Sequence, residues 1–234
     1  MRLQPLFLSL LLPALAVPAF AAPPTDAEVG DADSFGRRML WLGVVDASVT
    51  LLPDCTGDTS GTCVTLNPAP AQTTFRINDL GTLALPKKSS NSLLCHWQTP
   101  IVYYNAVNNT GSTQYLQFQA YPIYRIQSPV LDDPTLIDPS TGLPFNGQIE
   151  LPLSSFAKFA TIADSSYESE QFTGTRMCIG ALVTRKSLQL NYGLTPAQAK
   201  QFFNKPITIH VDIGGTAQMI ESASIYFGTR FVGD

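Results

Sequence analysis

The sequence predicts an all-β protein, a β-sandwich or jelly-roll-like domain with one short helix at about residues 195–204. Apolar and polar residues alternate with a period of two in several segments, and these segments are rich in Val, Ile, Tyr and Phe. Clusters of Gly, Pro, Asn and Asp separate them. An immunoglobulin-type domain is less favoured, because Trp97 lies only two residues after Cys95.

Residues 93–126 contain the clearest strand signal, and we interpret them as a hairpin at the centre of the sheet. Polar and apolar residues alternate through residues 116–125, as expected of a half-buried strand. Residues 108–111 (NNTG) are turn formers because Asn and Gly tolerate positive φ. Pro122 lacks a backbone N–H, which predicts an edge or a bulge at that position.

The amino terminus predicts export to the periplasm or the extracellular space. Arg2 precedes an apolar run over residues 6–17, and Ala19 and Ala21 form a small-x-small cleavage pattern. We therefore expect a signal peptide at 1–21, a flexible leader at 22–33 and a single domain at 34–234. A membrane anchor is the alternative, but Pro13 and Pro18 interrupt a run that is short for a span. No later segment is long and apolar enough to span a bilayer.

The charge balance argues against a nucleic-acid partner. The formal net charge is −4, and it becomes −5 when residues 1–21 and their single charge, Arg2, are removed. A nucleic-acid-binding domain needs a basic patch instead.

The four cysteines predict disulfide bonds, because an even number in an exported chain is typical of an oxidised framework. Four cysteines allow three pairings. We favour Cys55–Cys63, which closes a small loop, together with Cys95–Cys178, which ties distant strands.

The remaining segments are assigned from their residue patterns and from their capping and turn residues. The helix at 194–204 has Thr195 as N-cap, Pro196 at its first position and Gln198 completing a capping box. Residues 34–52 predict two strands broken near Gly43 or Asp46, with a helix as the competing interpretation. We also expect a helical turn at 153–160, strands at 177–183 and 187–192, and a hairpin around residues 214–215.

Candidate catalytic groups are scarce. His96 and His210 are the two histidines, and neither belongs to a zinc-binding motif. Cys95 beside His96 offers no nucleophile if that cysteine is oxidised. Loop carboxylates remain as candidates for a glycosidase, although nothing in the sequence marks a pair.

A ligand site is predicted at the Pro-, Asp- and Gly-rich loop over residues 128–148 and at nearby tyrosines. Its candidate residues are Asp132, Asp133, Asp138, Tyr121 and Tyr124. No cofactor is expected, with calcium as the one candidate metal, for which Asp31 and Asp33 begin a loop that lacks two oxygen donors. The alternative is that these aspartates form turns.

The sequence thus predicts an exported, non-catalytic β-sandwich protein that acts in binding or assembly, with a protein, a glycan or further copies of itself as partner. The alternative is a secreted polysaccharide hydrolase that uses loop carboxylates.

Overall fold

The computed structural model describes residues 40–153, 155–174, 176–177 and 183–233. The predicted signal peptide and leader, the calcium candidates Asp31 and Asp33, and Cys178 lie outside these residues.

Two mostly antiparallel sheets pack face to face, which confirms the predicted all-β sandwich. The seven-stranded sheet, called sheet A, has the order β10-β4-β12-β1-β2, and β8 and β9 also pair with β4. Its strands are β1 (Leu40–Leu52), β2 (Cys63–Thr65), β4 (Ser92–Asn108), β8 (Ser166–Thr173), β9 (Arg176–Met177), β10 (Val183–Thr184) and β12 (Ile220–Gly233). Within sheet A, β1 and β2 are parallel neighbours, whereas the other pairs are antiparallel.

The five-stranded sheet, called sheet B, has the order β3-β11-β5-β6, and β7 also pairs with β5. Its strands are β3 (Thr73–Leu85), β5 (Gln114–Gln127), β6 (Gln148–Pro152), β7 (Phe156–Ile162) and β11 (Ile207–Gln218). The apolar side chains of both sheets meet between them. Tyr104 of sheet A packs against Phe118 and Phe156 of sheet B, with ring centroids 5.5 and 6.2 Å apart.

The two strands predicted in residues 93–126 exist as β4 and β5, but they do not form a hairpin. They belong to opposite sheets, and the turn between them is an arch across the sandwich. Asn108 is fully buried in this arch. Its Nδ2 donates to the carbonyls of Ser112 (2.8 Å) and Ile162 (2.9 Å), and its Oδ1 accepts from the Thr110 N–H (3.1 Å).

Pro122 lies inside sheet B, so the predicted edge or bulge is wrong. It pairs with Ile213 of β11 on one flank. On the other flank it falls between β7, which ends opposite Ala120, and β6, which begins opposite Ile123. The missing N–H therefore sits at a junction between two partner strands.

The predicted helix is confirmed as α2 (Pro196–Asn204), whose N-cap Thr195 forms a capping box with Gln198. The strand predicted at 187–192 is instead helix α1 (Arg185–Leu190), because Thr184 and Ser187 form a second capping box. The helical turn predicted at 153–160 is strand β7, and Ser154 lies outside the described residues. A short 3₁₀ helix, Pro129–Asp132, follows β5.

Two further strand predictions are corrected by the structure. Residues 40–52 form one continuous strand with a bulge between Trp41 and Gly43. β11 continues through Gly214 and Gly215 to Gln218, so no hairpin forms at the glycines. β11 lies in sheet B and β12 in sheet A.

The Cys55–Cys63 disulfide is confirmed. Cys95 is also disulfide-bonded, and no cysteine in the described part of the chain is free. These bonds are consistent with export to an oxidising compartment. No helix of the described residues has the length and apolar character needed to cross a bilayer.

Candidate functional site

The outer surface of sheet A carries a broad patch of uncharged side chains, which we call the neutral face. It consists of Ser48, Thr50, Ile101, Tyr103, Asn105, Tyr167, Ser169, Gln171, Thr173, Ser222, Ser224 and Tyr226. None of these residues is Asp, Glu, Lys, Arg or His. They come from four strands, and strand alternation turns them all outward while their neighbours enter the core.

Three exposed tyrosines lie on adjacent strands of the neutral face, Tyr226 on β12, Tyr103 on β4 and Tyr167 on β8, so a line through them crosses the strands obliquely. Tyr226 is 37% exposed, Tyr103 is 49% exposed and Tyr167 is 63% exposed. Tyr226 pairs with position 101 of β4, and Tyr167 pairs with position 107. Six residues of β4 separate those two rows, a length of about 20 Å at roughly 3.3 Å per residue. Tyr103 lies between them, so the three rings form an extended track.

A chain of hydrogen bonds crosses the neutral face from β8 through β4 to β12. The Tyr167 hydroxyl donates to Asn105 Oδ1 at 2.8 Å, and Asn105 Nδ2 donates to Ser222 Oγ at 3.1 Å. In this arrangement the Ser222 O–H can still donate outward, and the Tyr167 oxygen can still accept. The face therefore presents polar groups whose positions are set by the sheet.

A shallow depression of about 310 Å³ lies within the neutral face beside Tyr103. Its outward-facing wall consists of hydroxyl, amide and aromatic groups from Thr50, Tyr103, Asn105, Ser222 and Ser224, together with Leu52. It is a concave spot on an otherwise open surface.

The outer surface of sheet B is chemically different, because it carries a network of charged groups that we call the charged face. Asp212 lies at its centre with a fully buried side chain. It accepts from Arg125 Nε (2.8 Å) and Nη2 (3.0 Å), from Arg76 Nη2 (2.8 Å) and from the Asp79 N–H (2.9 Å). Burial opposes the charged form, but the hydrogen bonds from Arg125, Asp79 and Arg76 outweigh it and lower the pKa of Asp212.

The rim of the charged face is also internally paired. Arg76 forms a bidentate pair with Glu150 at 3.0 and 2.9 Å. Asp79 lies 2.6 Å from Arg125 Nη2, and its Oδ1 is 2.8 Å from His210 Nδ1. Two guanidinium groups thus pair with three carboxylates, and the network acts as a brace across β3, β11, β5 and β6.

A second polar cluster fills the seam where β7 and β8 bring the two sheets together. The Tyr104 hydroxyl donates to Glu168 (2.6 Å) and Glu170 (2.8 Å), and Lys158 Nζ lies 3.1 and 2.8 Å from the same carboxylates. The bond from Tyr104 lowers the pKa of Glu168, and the bond from Lys158 lowers the pKa of Glu170. Both are therefore ionised at neutral pH, whereas glycosidase chemistry needs one protonated acid.

Two of the aspartates predicted for a ligand site, Asp133 and Asp138, form turns. Asp133 Oδ1 accepts from the backbone N–H and the hydroxyl of Thr135, and Asp138 Oδ1 does the same with Ser140. Asp132 ends the 3₁₀ helix. Within the described residues, no three His, Cys, Asp or Glu side chains are arranged to hold a metal ion.

The structure does not bring the two predicted tyrosines together. Tyr121 lies on the outer surface of sheet B, packed beside Gly214. Tyr124 is fully buried, and its hydroxyl lies 2.6 Å from Thr229 Oγ1, so its ring is not available to a surface ligand. Burial raises the pKa of Tyr124. The two residues are three apart in one strand and must therefore face opposite ways.

A cleft of about 390 Å³ opens at the end of the sandwich that carries the β4–β5 arch. Leu66, Met219 and Ile220 form much of its apolar base. Glu221 is the one charged side chain in its lining.

The neutral face is not among the sites that the sequence predicts. One signal was present, since Ser222, Ser224 and Tyr226 alternate with apolar residues in β12. The other rows come from strands far apart in the chain, and their register is not visible in the sequence.

Comparison with known proteins gives no family assignment. No family model matches the chain, and no curated protein matches it. Among solved structures, one similarity is to a chain in the structure of infectious bursal disease virus Gx strain, with 10% sequence identity and a TM-score of 0.24. It covers 83% of this chain and 32% of the viral chain, so this chain spans about a third of that chain's length. A similarity at that TM-score carries no argument about function.

Proposed function

We propose that this protein is an exported, non-catalytic binding protein that engages its partner through the neutral face of sheet A. It works in the periplasm or outside the cell. The observation that supports this most is the set of exposed tyrosines among fixed hydroxyl and amide groups on one open sheet surface. Tyrosine with serine and asparagine is a combination that binding surfaces favour, because the rings give contact area at low entropic cost.

The test compares retention of purified protein on the envelope and secreted-polymer fractions of the exporting cell. One variant replaces Tyr103, Tyr167 and Tyr226 by Ala. The control replaces Tyr115 and Phe159, a stacked pair of exposed aromatics on the outer surface of sheet B. We expect wild type and control to be retained and the triple variant to be lost. Equal retention of all three proteins would exclude the neutral face as the binding surface.

A polysaccharide hydrolase is the second candidate, favoured by the approach of Glu168 and Glu170 to one Tyr104 hydroxyl. Release of reducing ends from the same polymer fractions tests this candidate. Activity that disappears in Glu168→Gln and Glu170→Gln variants would replace the binding proposal by the enzymatic one. We expect no release, because the Lys158 and Tyr104 bonds keep both carboxylates ionised.

A further inference from the structure

We infer that the ligand of the neutral face is an uncharged polysaccharide, which crosses strands β12, β4 and β8 obliquely over Tyr226, Tyr103 and Tyr167. This inference rests on the proposed function and names the ligand class of the same site.

The first argument is charge complementarity. The residues of the neutral face carry no formal charge, although the chain as a whole has 14 basic and 18 acidic residues. An anionic or cationic polymer would lose hydration at this surface without gaining a counter-charge, which is costly. An uncharged polymer pays no such penalty, so the face fits a neutral ligand better than an ionic one.

The second argument separates a glycan from a protein partner. The core of a protein interface is apolar and closely packed around a few anchor side chains. Aliphatic side chains on or beside the neutral face are few: Ile101, which is half-buried, Leu52 in the wall of the depression, and Val107 opposite Tyr167. The remaining groups are hydroxyls, amides and tyrosine rings. A sugar ring matches this composition, because its C–H surface packs on an aromatic ring while its hydroxyls both donate and accept hydrogen bonds.

The third argument is shape. The depression beside Tyr103 has the size for a single sugar ring, with the Ser222 hydroxyl in its wall placed to donate. The tyrosine track extends over rows about 20 Å apart along β4, and it also crosses from β12 to β8. A chain of several linked rings would therefore contact all three tyrosines, whereas a monosaccharide or disaccharide would contact one or two.

The experiment uses the mature protein and a panel of xylan, mannan, galactan, β-1,3-glucan and cellulose, with alginate as the anionic comparator. Affinity electrophoresis and calorimetry measure binding. We expect at least one neutral polysaccharide to bind and alginate not to bind. The hexasaccharide of the neutral polysaccharide that binds should bind at least tenfold more tightly than the disaccharide of the same polymer.

The variants locate the binding site, and their melting temperatures show whether each one is folded. Tyr103→Ala should weaken binding at least tenfold, and Tyr103→Phe, which keeps the ring, should weaken it less than threefold. The Tyr115→Ala and Phe159→Ala control should bind like wild type. An unchanged melting temperature shows that each variant is folded, which we expect because all of these side chains are exposed.

The outcomes distinguish this inference from the proposed function. Absence of binding to every neutral polysaccharide, or binding that Tyr103→Ala leaves unchanged, overturns the inference. If retention on envelope fractions still depends on the three tyrosines but is destroyed by protease and survives periodate, the partner is a protein. The proposed binding function then stands, and the inference that the ligand is a polysaccharide is wrong.

Discussion

Among single residues, Asp212 is a buried charge that depends on its hydrogen-bond donors. Its carboxylate is fully buried and is the common acceptor for Arg76, Arg125 and the Asp79 backbone. We predict that Asp212→Asn destabilises the protein by about 2–3 kcal/mol. This loss of stability is at or below what breaking a fully buried ion pair costs, because the Arg76 side chain is partly exposed to water. Urea denaturation measures the effect.

The matched control for Asp212 is Glu150→Gln in the same network. The Glu150 side chain is 40% exposed, and its pair with Arg76 is screened by solvent. We expect a loss of less than about 1 kcal/mol. Equal losses for the two variants would show that the buried carboxylate has no special role in the charged face.

The buried Asn108 side chain holds the β4–β5 arch between the two sheets through its hydrogen bonds. In Asn108→Asp the shape is kept, but two donated hydrogen bonds are lost and a carboxylate faces the carbonyls of Ser112 and Ile162. We expect a destabilisation of about 2–3 kcal/mol by thermal or urea denaturation. Asn109→Asp, at the exposed next position, should change stability by no more than about 0.5 kcal/mol. A tolerated Asn108→Asp would contradict the role assigned to the amide.

The strands themselves could be predicted from the sequence, but their pairing could not. A period of two is the same whether consecutive strands form a hairpin or an arch between sheets, so the pattern predicts β4 and β5 but not how they are connected. Residues 187–192 are too short for periodicity to separate strand from helix. The capping box of Thr184 and Ser187 was the informative signal there.

Strand β8 escaped prediction for a different reason. Its inward positions include Glu168 and Glu170, so the usual rule that apolar residues face inward fails. In the described part of the chain β7 pairs only with β5 and β8 only with β4, which makes both edge strands. Inward-pointing charges on such edges hinder pairing with other chains. The seam cluster thus combines a structural brace with protection against aggregation.

The seam also predicts how stability changes with pH. The folded-state pKa values of Glu168 and Glu170 lie below their ordinary value, so the native state binds fewer protons than the unfolded state in mildly acidic solution. Their contribution is fully present above about pH 4.5 and is lost as the pH falls through the lowered folded values. Unfolding free energies from pH 7 to pH 3 should therefore decline below about pH 4.5.

A variant assigns part of this decline to the seam. Glu170→Gln removes one of the two shifted carboxylates and should flatten the acid limb of the stability curve. Glu221→Gln, an exposed glutamate of β12, serves as the control and should leave the limb unchanged. An acid limb that keeps its slope in Glu170→Gln would assign the decline to other groups, Asp212 first among them.

For the molecule as a whole, the two outer surfaces differ in chemistry, and we propose that one serves stability and the other binding. The charged face braces sheet B with ion pairs that satisfy each other, and the neutral face leaves hydroxyls and rings open to solvent. The candidate site predicted from the sequence, the loop aspartates with Tyr121 and Tyr124, does not lie on the neutral face: Tyr121 is on the outer surface of sheet B and Tyr124 is buried. A site built from four strands depends on register, and residues adjacent in the chain do not reveal it.

This division predicts that ligand binding is insensitive to salt. Ionic strength weakens interactions between formal charges beyond the Debye length, and the residues of the neutral face have none. The dissociation constant should change by less than about twofold between about 0.05 and 0.5 M NaCl. Calorimetry with the bound polymer measures this, and Arg76→Ala, on the opposite surface, should bind with unchanged affinity. A dissociation constant that rises steeply with salt and is altered by Arg76→Ala would move the binding surface to the charged face, because only charge contacts respond to both changes.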